Sequence, residues 1–462
     1  MQTNVKKTLR ASMLAALCAV MCCFSAAALT EGDWEYQLLG NEAQITGYNG
    51  AGGDIVIPSS IGGATVTEIT DIWKMFSHKA TSITYPGTIK EANFYCSHGW
   101  EELESVTFSE GVESITDGSI MQEFPNLTEI HLPSTLQSIS DHAFRNTGIK
   151  HITLPASVKT IGDSAFSGSA LESADLSALR NAELGRGLFE NCKQLTEIKL
   201  PPDLQTIPQS LAEYCDNLQH IDIPASVTVI KNVAFRGCDL RQVYLPAGLK
   251  DTGAGTFNDN PNLTELIIPY GVTSASSGGS YSFGLARDCE NLRAVYVPDT
   301  VTTMGVSFIK DSPNAIVYCG AGSYAESFCK EYKISYKIDP SVNATVHVLY
   351  NGKRISFGDQ GQNPVIENGR TLVPLRAIFE TMGATVGWDA ATSTVTATRG
   401  STTIQLTLGS QTLYKNGVAA ATLDVPAKTL NSRTVVPARA VAEAFGASVG
   451  WNAAGQIVTI DE

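Results

Sequence analysis

The residues best suited to chemistry in this 462-residue chain are its cysteines, and their spacing is that of a repeat. Cys192, Cys215 and Cys238 lie 23 residues apart, whereas zinc-binding cysteines usually come in closely spaced pairs. We expect these three to be small buried residues stacked in a ladder, because three cysteines cannot all pair with one another. Cys319 and Cys329 are the better candidates for a disulfide in an oxidising compartment.

The histidines give no stronger sign of a site. His131 and His151 fall on neighbouring predicted strands and could approach a metal ion with Asp175, but solvated surface histidines explain the pattern better. The sequence contains no glycine-rich phosphate loop, no H-E-x-x-H motif and no nucleophile elbow. It therefore predicts no catalytic residue, no cofactor-binding residue, no metal site and no enzymatic activity.

The first 28 residues have the pattern of a secretory signal peptide. Lys6, Lys7 and Arg10 precede a short apolar run, and the alanines at 26–28 favour cleavage after Ala28. No later stretch is apolar enough to predict a membrane span. The net charge of −14 lies before residue 339, because nine Lys/Arg and nine Asp/Glu cancel from there onward. An acidic surface repels nucleic acid and anionic lipid, and it suits a secreted or cell-surface protein.

The elements that must position these residues recur with a nearly fixed period. Each unit follows the frame L-x-x-I-x-L-P-x-x-V-x-x-I-x-x-x-A-F-x-x-C/N-x-x-L, and HITLPASVKTIGDSAF (151–166) lies within one copy. A period of this size is typical of a solenoid. A proline or serine ends each predicted strand, at intervals of 22 to 29 residues: Pro58, Pro86, Ser109, Pro133, Pro155, Ser177, Pro201, Pro224, Pro246, Pro269 and Pro298.

In this frame one face of each strand points inward, and equivalent strands stack into a long parallel β-sheet. Proline ends each strand because it has no N–H for the next hydrogen bond of the ladder. The Val and Ile of V-x-x-I point inward from the opposite wall, and the Phe fills the remaining space. We therefore expect Phe144, Phe166 and Phe235 to share one ladder, in coils that depend on their neighbours for burial.

The frame resembles the BspA-like leucine-rich repeats of bacterial surface proteins, over residues 50–338. The segment 316–338 looks like the terminal cap that such arrays need. The sequence departs from the frame in the irregular coils at 54–100, at Ser177 in place of proline, and in the insertion SASSGGSYSF (274–283). These departures affect the local register rather than the fold.

After a linker at residues 339–345, a motif occurs twice. The segment GRTLVPLRAIFETMGATVGWDAATSTVTA (369–397) recurs as SRTVVPARAVAEAFGASVGWNAAGQIVTI (432–460). In each copy we expect a proline, Pro374 or Pro437, to occupy the first position of a short helix. A glycine, Gly383 or Gly446, should follow the helix end. Residues 346–462 are thus predicted to form a small α+β domain built as a pseudo-duplicate.

The doubled R-T-x-V-P-x-R-A…G-A-x-V-G-W motif looks like the copper amine oxidase N-terminal-domain-like, or stalk, module. The resemblance implies an accessory role, because in that family the copper and quinone chemistry belongs to a separate catalytic domain. We expect no such domain here, and His347 is the single histidine from residue 339 onward. The chain therefore lacks a histidine cluster to hold copper in this part.

Each repeat strand presents an outward side chain, and the resulting column changes character along the chain. Its first half is small and polar, whereas Tyr244, Ile267 and Tyr296 follow one another towards its C-terminal end. Three such side chains on a flat sheet predict a ligand-contact patch, unless an insertion or the cap covers them.

Two functions fit these features. The resemblances imply a secreted or cell-surface adhesion protein that binds an extracellular protein, cell-wall or glycan partner through its repeats, with the stalk module as a spacer or wall-associating unit. The alternative is a structural envelope protein without a specific ligand. The predicted organisation is a signal peptide (1–28), a lead-in (29–49), a leucine-rich-repeat solenoid with its cap (50–338), the linker (339–345) and the stalk domain (346–462). We expect no cofactor, no nucleic-acid partner and no membrane span after signal removal.

Overall fold

The computed structural model describes residues 28–70, 79–93, 102–116, 124–277, 284–358 and 361–462. The chain divides into two compact units, one up to Leu136 and one from Gln137 to Glu462. The predicted signal peptide, apart from Ala28, lies outside the described residues. No helix in the described part of the chain is long and apolar enough to cross a membrane.

In the first unit a folded sheet precedes the repeats. The predicted lead-in forms three antiparallel strands. The third of these pairs in parallel with the strand Ala64–Ile69, which in turn pairs antiparallel with Ser60–Ile61. Ala43 and Ile45 on that third strand are fully buried, so the lead-in closes the apolar end of the unit. The strands of this sheet are, in spatial order, Leu29–Glu31, Trp34–Leu39, Glu42–Tyr48, Ala64–Ile69 and Ser60–Ile61.

The repeats of the first unit stack as two parallel ladders. Val106 and Phe108 are buried while Thr107 between them points outward, which is the alternation that the frame predicts. The outward-facing ladder contains Gly53–Val56, Ala80–Tyr85, Ser105–Phe108 and Glu129–His131. The opposite wall contains Glu91–Asn93 and Ser114–Thr116.

The second unit continues the same frame in shorter strands. The outward-facing ladder consists of His151–Thr153, Ser173–Asp175 and Glu197–Lys199, and then of Glu265–Ile267, Ala294–Val297, Ile316–Cys319 and Tyr336–Ile338, all parallel. The opposite wall consists of Ser138–Ile139, Thr160–Ile161, Glu183–Leu184, Thr206–Ile207, Val229–Ile230, Asp251–Gly253, Ser274–Ser277 and Thr303–Met304. The solenoid with parallel sheets that the sequence predicts is confirmed.

Aromatic side chains fill the third side of the repeats. The ring of Phe166 stacks between those of Phe144 and Phe189, with centroids 5.5 and 5.9 Å away. Phe235 stacks on Phe257 at 6.1 Å. The phenylalanine ladder is therefore present as predicted, with one break at Ala212, which occupies the equivalent position between the two stacks.

A short helix closes the repeat stack at its C-terminal end. Helix α1, Tyr324–Tyr332, begins after Ser323, whose hydroxyl accepts a hydrogen bond from the Glu326 N–H at 3.1 Å. Its Phe328 packs edge-on against Phe308 of the preceding coil. The helix ends at Lys333, which adopts the left-handed conformation. The segment predicted as a cap thus covers the apolar end that the last coil would otherwise expose.

The C-terminal domain is built from three sheets and two helices. The first sheet contains Lys353–Arg354, His347–Tyr350, Ile457–Asp461 and Ser448–Asn452. The second contains Val365–Glu367, Arg370–Pro374, Arg433–Pro437 and Lys428–Leu430. The third contains Thr385–Asp389, Thr394–Arg399, Thr402–Thr407, Thr412–Lys415 and Val418–Thr422. The helices are α2, Leu375–Thr381, and α3, Ala438–Ala444.

The two motif copies meet at the centre of this domain. Their strands pair antiparallel with Val373 opposite Val436, and the helices that follow bring Phe379 against Phe445 at 5.1 Å. The predicted helix ends are confirmed, since Gly383 and Gly446 have φ of +81° and +96°.

The helix starts differ from the prediction by one residue. Pro374 and Pro437 are the last residues of their strands and the N-caps of α2 and α3, rather than the first helical residues. The pairing of the two strands includes both prolines, because neither has to donate an N–H at its position in the sheet.

We predict that Phe235→Ala lowers the free energy of unfolding by about 3–5 kcal/mol, because it empties a fully buried ladder position. Lys231→Ala is the matched control, since Lys231 lies in the same coil with its side chain exposed. Urea denaturation of both variants measures the difference. Equal small shifts in the two midpoints would show that Phe235 is not part of the core.

Candidate interaction surfaces

The cysteine column is a hydrogen-bond ladder. The thiols of Cys192, Cys215 and Cys238 are buried and free, and each lies 3.1 Å from a backbone carbonyl of the preceding coil, to which it donates. Burial raises the pKa of Cys192 to about 11 and that of Cys238 to about 12, so both stay protonated near neutral pH. The prediction of small stacked buried residues is confirmed.

The same position in other coils is filled by other small donors. In these coils a hydroxyl, amide or thiol likewise donates to a backbone carbonyl, and the residues are Thr147, Ser169, Asn260, Cys289 and Ser312. A buried carbonyl without a partner is costly, so the frame requires a compact donor here rather than a cysteine as such. Cys319 and Cys329, the candidates for a disulfide, are also buried and free.

The predicted histidine and aspartate candidates do not form a metal site. His151 Nδ1 lies 2.9 Å from the Ser173 hydroxyl, and Asp175 accepts hydrogen bonds from the N–H and hydroxyl of Ser177. His131, described within the first unit, is exposed beside Glu129 at 3.9 Å. Across the described ranges, no group of three or more His, Cys, Asp or Glu side chains is arranged to hold a metal ion.

The three residues predicted as an exposed contact patch lie beneath the C-terminal domain. Ile267 and Tyr296 are each only 7% exposed, and Tyr244 is half-buried. They form one apolar cluster with Ala294 and Tyr318 of the repeats and with Val342, Leu349 and Ile457. The prediction of an exposed surface is therefore wrong at these positions, because a domain later in the chain covers them. A ligand-binding role for the three side chains stays a prediction.

A buried arginine holds this interface together. The Arg354 side chain is 1% exposed and forms an ion pair with Asp339 at 3.0 Å. Its guanidinium carbon lies 4.5 Å from the centroid of the Tyr296 ring, and its backbone N–H donates to Glu265 at 2.9 Å. The arginine thus contacts the linker, the repeats and its own domain at once, and each of its charged contacts is shielded from water.

The predicted linker is part of the same interface. Residues Pro340–Asn343 form a 3₁₀ helix capped by Asp339, whose carboxylate accepts from the N–H and hydroxyl of Ser341. Asn343 also donates to Asp299 of the repeats at 2.7 Å. Burial alone would raise the pKa of Asp339, but the hydrogen bonds from Ser341 and the ion pair with Arg354 lower it. The segment therefore holds the C-terminal domain in one position against the coils.

His347 is buried at the centre of this arrangement. Arg354 Nε donates to His347 Nδ1 at 3.2 Å, so this histidine is neutral with its own proton on Nε2. Burial, with the Arg354 charge beside it, lowers its pKa to about 3. Copper sites in proteins need a cluster of imidazole ligands, and the single histidine of this domain already accepts a hydrogen bond from an arginine at Nδ1. The residues present therefore do not fit a copper ion.

The exposed part of the outward column is polar. Upstream of Tyr244, the equivalent strand positions carry charged and hydroxyl side chains joined by surface ion pairs and hydrogen bonds. Lys199 lies 3.6 Å from Asp175 and 3.7 Å from Glu197, and His220 lies 3.0 Å from Asp222. The C-terminal domain thus covers the apolar part of the face and leaves the polar part open to solvent.

Comparisons with known proteins agree with this architecture. A family model described as a BspA type leucine rich repeat region, in six copies, matches residues 63–124, 118–241 and 206–318, which together cover more than half of the chain. A second model, the copper amine oxidase N-terminal domain, matches residues 349–460. No curated protein matches the chain.

Several solved structures of leucine-rich repeat proteins are similar. One from Bacteroides ovatus is 20% identical, with 67% of this chain and 99% of that chain covered and a TM-score of 0.41. The pneumococcal vaccine antigen PcpA is 18% identical, with coverage of 68% and 98% and a TM-score of 0.38. A leucine rich cell surface protein from Faecalibacterium prausnitzii is 21% identical, with coverage of 66% and 97% and a TM-score of 0.33.

The burial of His347 predicts a loss of stability on acidification. Its pKa of about 3 lies below the usual 6.5, so between these values the unfolded chain binds a proton that the folded chain does not. From pH 7 to pH 5 this should lower the free energy of unfolding of the C-terminal domain by about 2 kcal/mol. Urea midpoints at the two pH values measure the change.

His347→Gln is the matched variant, because glutamine can still accept from Arg354 but does not titrate. Asp339, whose pKa is lowered, acts in the same direction only at lower pH, and Glu265, whose pKa burial raises, acts in the opposite direction. The variant should therefore lose most of the pH dependence between pH 7 and 5. If the variant keeps the full pH dependence of the free energy of unfolding, that dependence comes from another titratable group.

Proposed function

Because the chain belongs to the family of BspA-type leucine-rich repeat proteins, we propose that it is an extracellular adhesion protein that binds a macromolecular partner through its repeats. The observation that carries this proposal is the divided outward column of the second unit. Its apolar end is occupied by the C-terminal domain, and its polar end is open along four successive coils, from His151 to Asp222. We also propose the division into a repeat region ending at 338 and an accessory domain starting at 346.

The open polar column suits a partner that is recognised by hydrogen bonds and charge. It presents His151, Thr153, Lys199, His220 and Asp222 to solvent on a continuous face. Interfaces of this kind are specific without being strongly apolar, and their charged rims govern the association rate and its salt dependence. The acidic repeat region favours a neutral or basic protein partner, and salt should weaken binding to a basic one.

A structural envelope role without a specific ligand is the second candidate. It predicts that neither labelled matrix proteins, such as collagen and laminin, nor purified cell-wall material is retained by the full chain. The adhesion proposal predicts retention of at least one of them. Fractionating the producing cells tests localisation separately, and an exclusively cytoplasmic protein would contradict both candidates.

We predict that Lys199→Glu weakens binding of the retained partner about tenfold or more, which corresponds to about 1.4 kcal/mol. The substitution removes the ammonium group of Lys199 beside Asp175 and Glu197, so the expected loss is that of a specific contact on the open column. The added negative charge by itself would strengthen binding to a basic partner. Surface plasmon resonance with the full chain, at two salt concentrations, measures the change in affinity.

Lys193→Glu is the matched control. Lys193 lies in the same coil, is equally exposed and pairs with an aspartate, Asp216 at 2.9 Å, but it does not lie on the outward strand. We expect it to bind within twofold of the wild type. Equal losses in both variants would contradict a contact specific to the outward strand, and equal gains would indicate a general charge effect. Unchanged affinity in both would place the binding surface elsewhere.

A further inference from the structure

The C-terminal domain carries two open clefts that its internal duplication relates to one another. The first, of about 810 Å³, is lined by Arg370, Arg439 and Trp451 among other residues. The second, of about 590 Å³, is lined by Arg433, Arg376 and Trp388. Each residue of one set is 63 positions from its counterpart in the other, so both clefts repeat the same combination of two arginines and a tryptophan.

The pairing of the two motif strands explains why each cleft draws on both copies. Leu372 lies opposite Pro437, and Pro374 lies opposite Val435, so the register is unchanged when the two copies are exchanged. If this register is continued beyond the paired residues, the first arginine of each copy falls opposite the second arginine of the other. Arg370 then faces Arg439, and Arg433 faces Arg376. The tryptophan of each cleft belongs to the same copy as the second arginine and lies on the strand after the helix. Trp451 accompanies Arg439 in this way, and Trp388 accompanies Arg376.

The duplication has kept these surface residues although part of the core has changed. Trp388 and Trp451 are 46% and 43% exposed, and all four arginines are exposed, yet these residues are identical in both copies. Some buried positions differ between the copies, with Leu372 against Val435, Ile378 against Val441, and Phe379 against Ala442, whereas others, such as Val373 and Val436, are identical. Folding alone does not explain why the exposed set is identical, because exposed tryptophan and arginine contribute little to a core.

The two clefts differ in the polar side chains that accompany their arginines. In the first, Arg370 forms an ion pair with Asp424, and Arg439 lies 3.9 Å from Glu443. No acidic residue is among the described residues that line the second cleft, where the hydroxyls of Ser432 and Thr434 accompany the arginines. Among the described lining residues, carboxylates thus accompany the arginines of the first cleft, and hydroxyls accompany those of the second.

We propose that these clefts bind an anionic polysaccharide, with a sugar ring stacked on the indole and a carboxylate or phosphate held by the arginine pair. The guanidinium fork matches both anions in a bidentate geometry. An exposed indole offers a flat apolar face and an N–H at its edge, which suits a ring that is apolar on one side and hydroxylated around its rim. Two equivalent sites on one domain suit a polymer that repeats the same unit and gain affinity by avidity.

This binding is separate from the one proposed for the repeats, because it uses other residues of another domain. The Lys199→Glu variant should leave it unchanged, so the two proposals can fail independently. Single-stranded nucleic acid also stacks on aromatic side chains and pairs with arginine, but the acidic repeat region of the same chain repels it. An oligonucleotide is therefore included as a competing ligand in the test.

The test measures binding of the full chain to polygalacturonate and to phosphomannan, which carry carboxylate and phosphate on a sugar backbone. Neutral dextran and an oligothymidylate are compared in parallel. We expect binding to at least one anionic polysaccharide, accompanied by a change in tryptophan fluorescence and weakened by salt. Binding of polygalacturonate would identify the anionic group as a carboxylate, and binding of phosphomannan would identify it as a phosphate. Trp388→Ala and Arg376→Ala should each weaken it at least tenfold, and Trp388→Ala/Trp451→Ala should abolish it.

Two further variants keep the result interpretable. Tyr414→Ala removes an exposed aromatic side chain of the same domain that lines neither cleft, and it should bind within twofold of the wild type. Arg376→Lys keeps the charge without the fork and should lose most of the affinity with an unchanged Tm. Absence of binding to both anionic polymers, equally tight binding of dextran or the oligothymidylate, or full affinity in Trp388→Ala would overturn the proposal.

Discussion

Each coil of the repeat region buries its apolar side chains and satisfies its backbone only against the adjacent coils. The donors that cross from one coil to the next show this dependence. Cys192, Cys215 and Cys238 donate to carbonyls of the preceding coil, and Asn260 does the same at the equivalent position. A stack held in this way has no stable free end, so its ends must be covered. Helix α1 covers one end of the second unit, and the N-terminal sheet closes the repeats of the first.

The outward face has a similar requirement where its side chains become apolar. From Tyr244 onward the column presents aromatic and aliphatic groups, which would form an exposed patch on a free solenoid. The C-terminal domain covers them through Leu349 and Ile457, and Arg354 fixes its position with an ion pair to Asp339 and a contact with the Tyr296 ring. A buried ion pair contributes specificity of docking more surely than net stability. The accessory domain thereby determines which part of the repeats remains available.

The repeat frame was predictable from sequence because it depends on local spacing. The period, the inward alternation, the phenylalanine ladder and the glycines after α2 and α3 all follow from residues close together in the chain. The covering of Tyr244, Ile267 and Tyr296 was not predictable, because it depends on residues about 50 to 210 positions later that share no local pattern with them. The roles of Arg354, Asp339 and His347 in this interface were not predictable for the same reason. The duplicated arginines and tryptophan are visible in the sequence. Only the antiparallel pairing of the two motif strands, however, brings residues of both copies together in each cleft.

The central claim is that the C-terminal domain occupies the apolar end of the outward column. Hydroxyl-radical footprinting of the full chain tests it directly, because labelling of tyrosine follows exposure of the ring. Tyr296 is 7% exposed beneath the domain, whereas Tyr270, also in the repeats, is 45% exposed. The structure predicts that Tyr270 is labelled several times faster than Tyr296. Labelling of Tyr296 at the same rate as Tyr270 would show that this face is open in solution and would contradict the account.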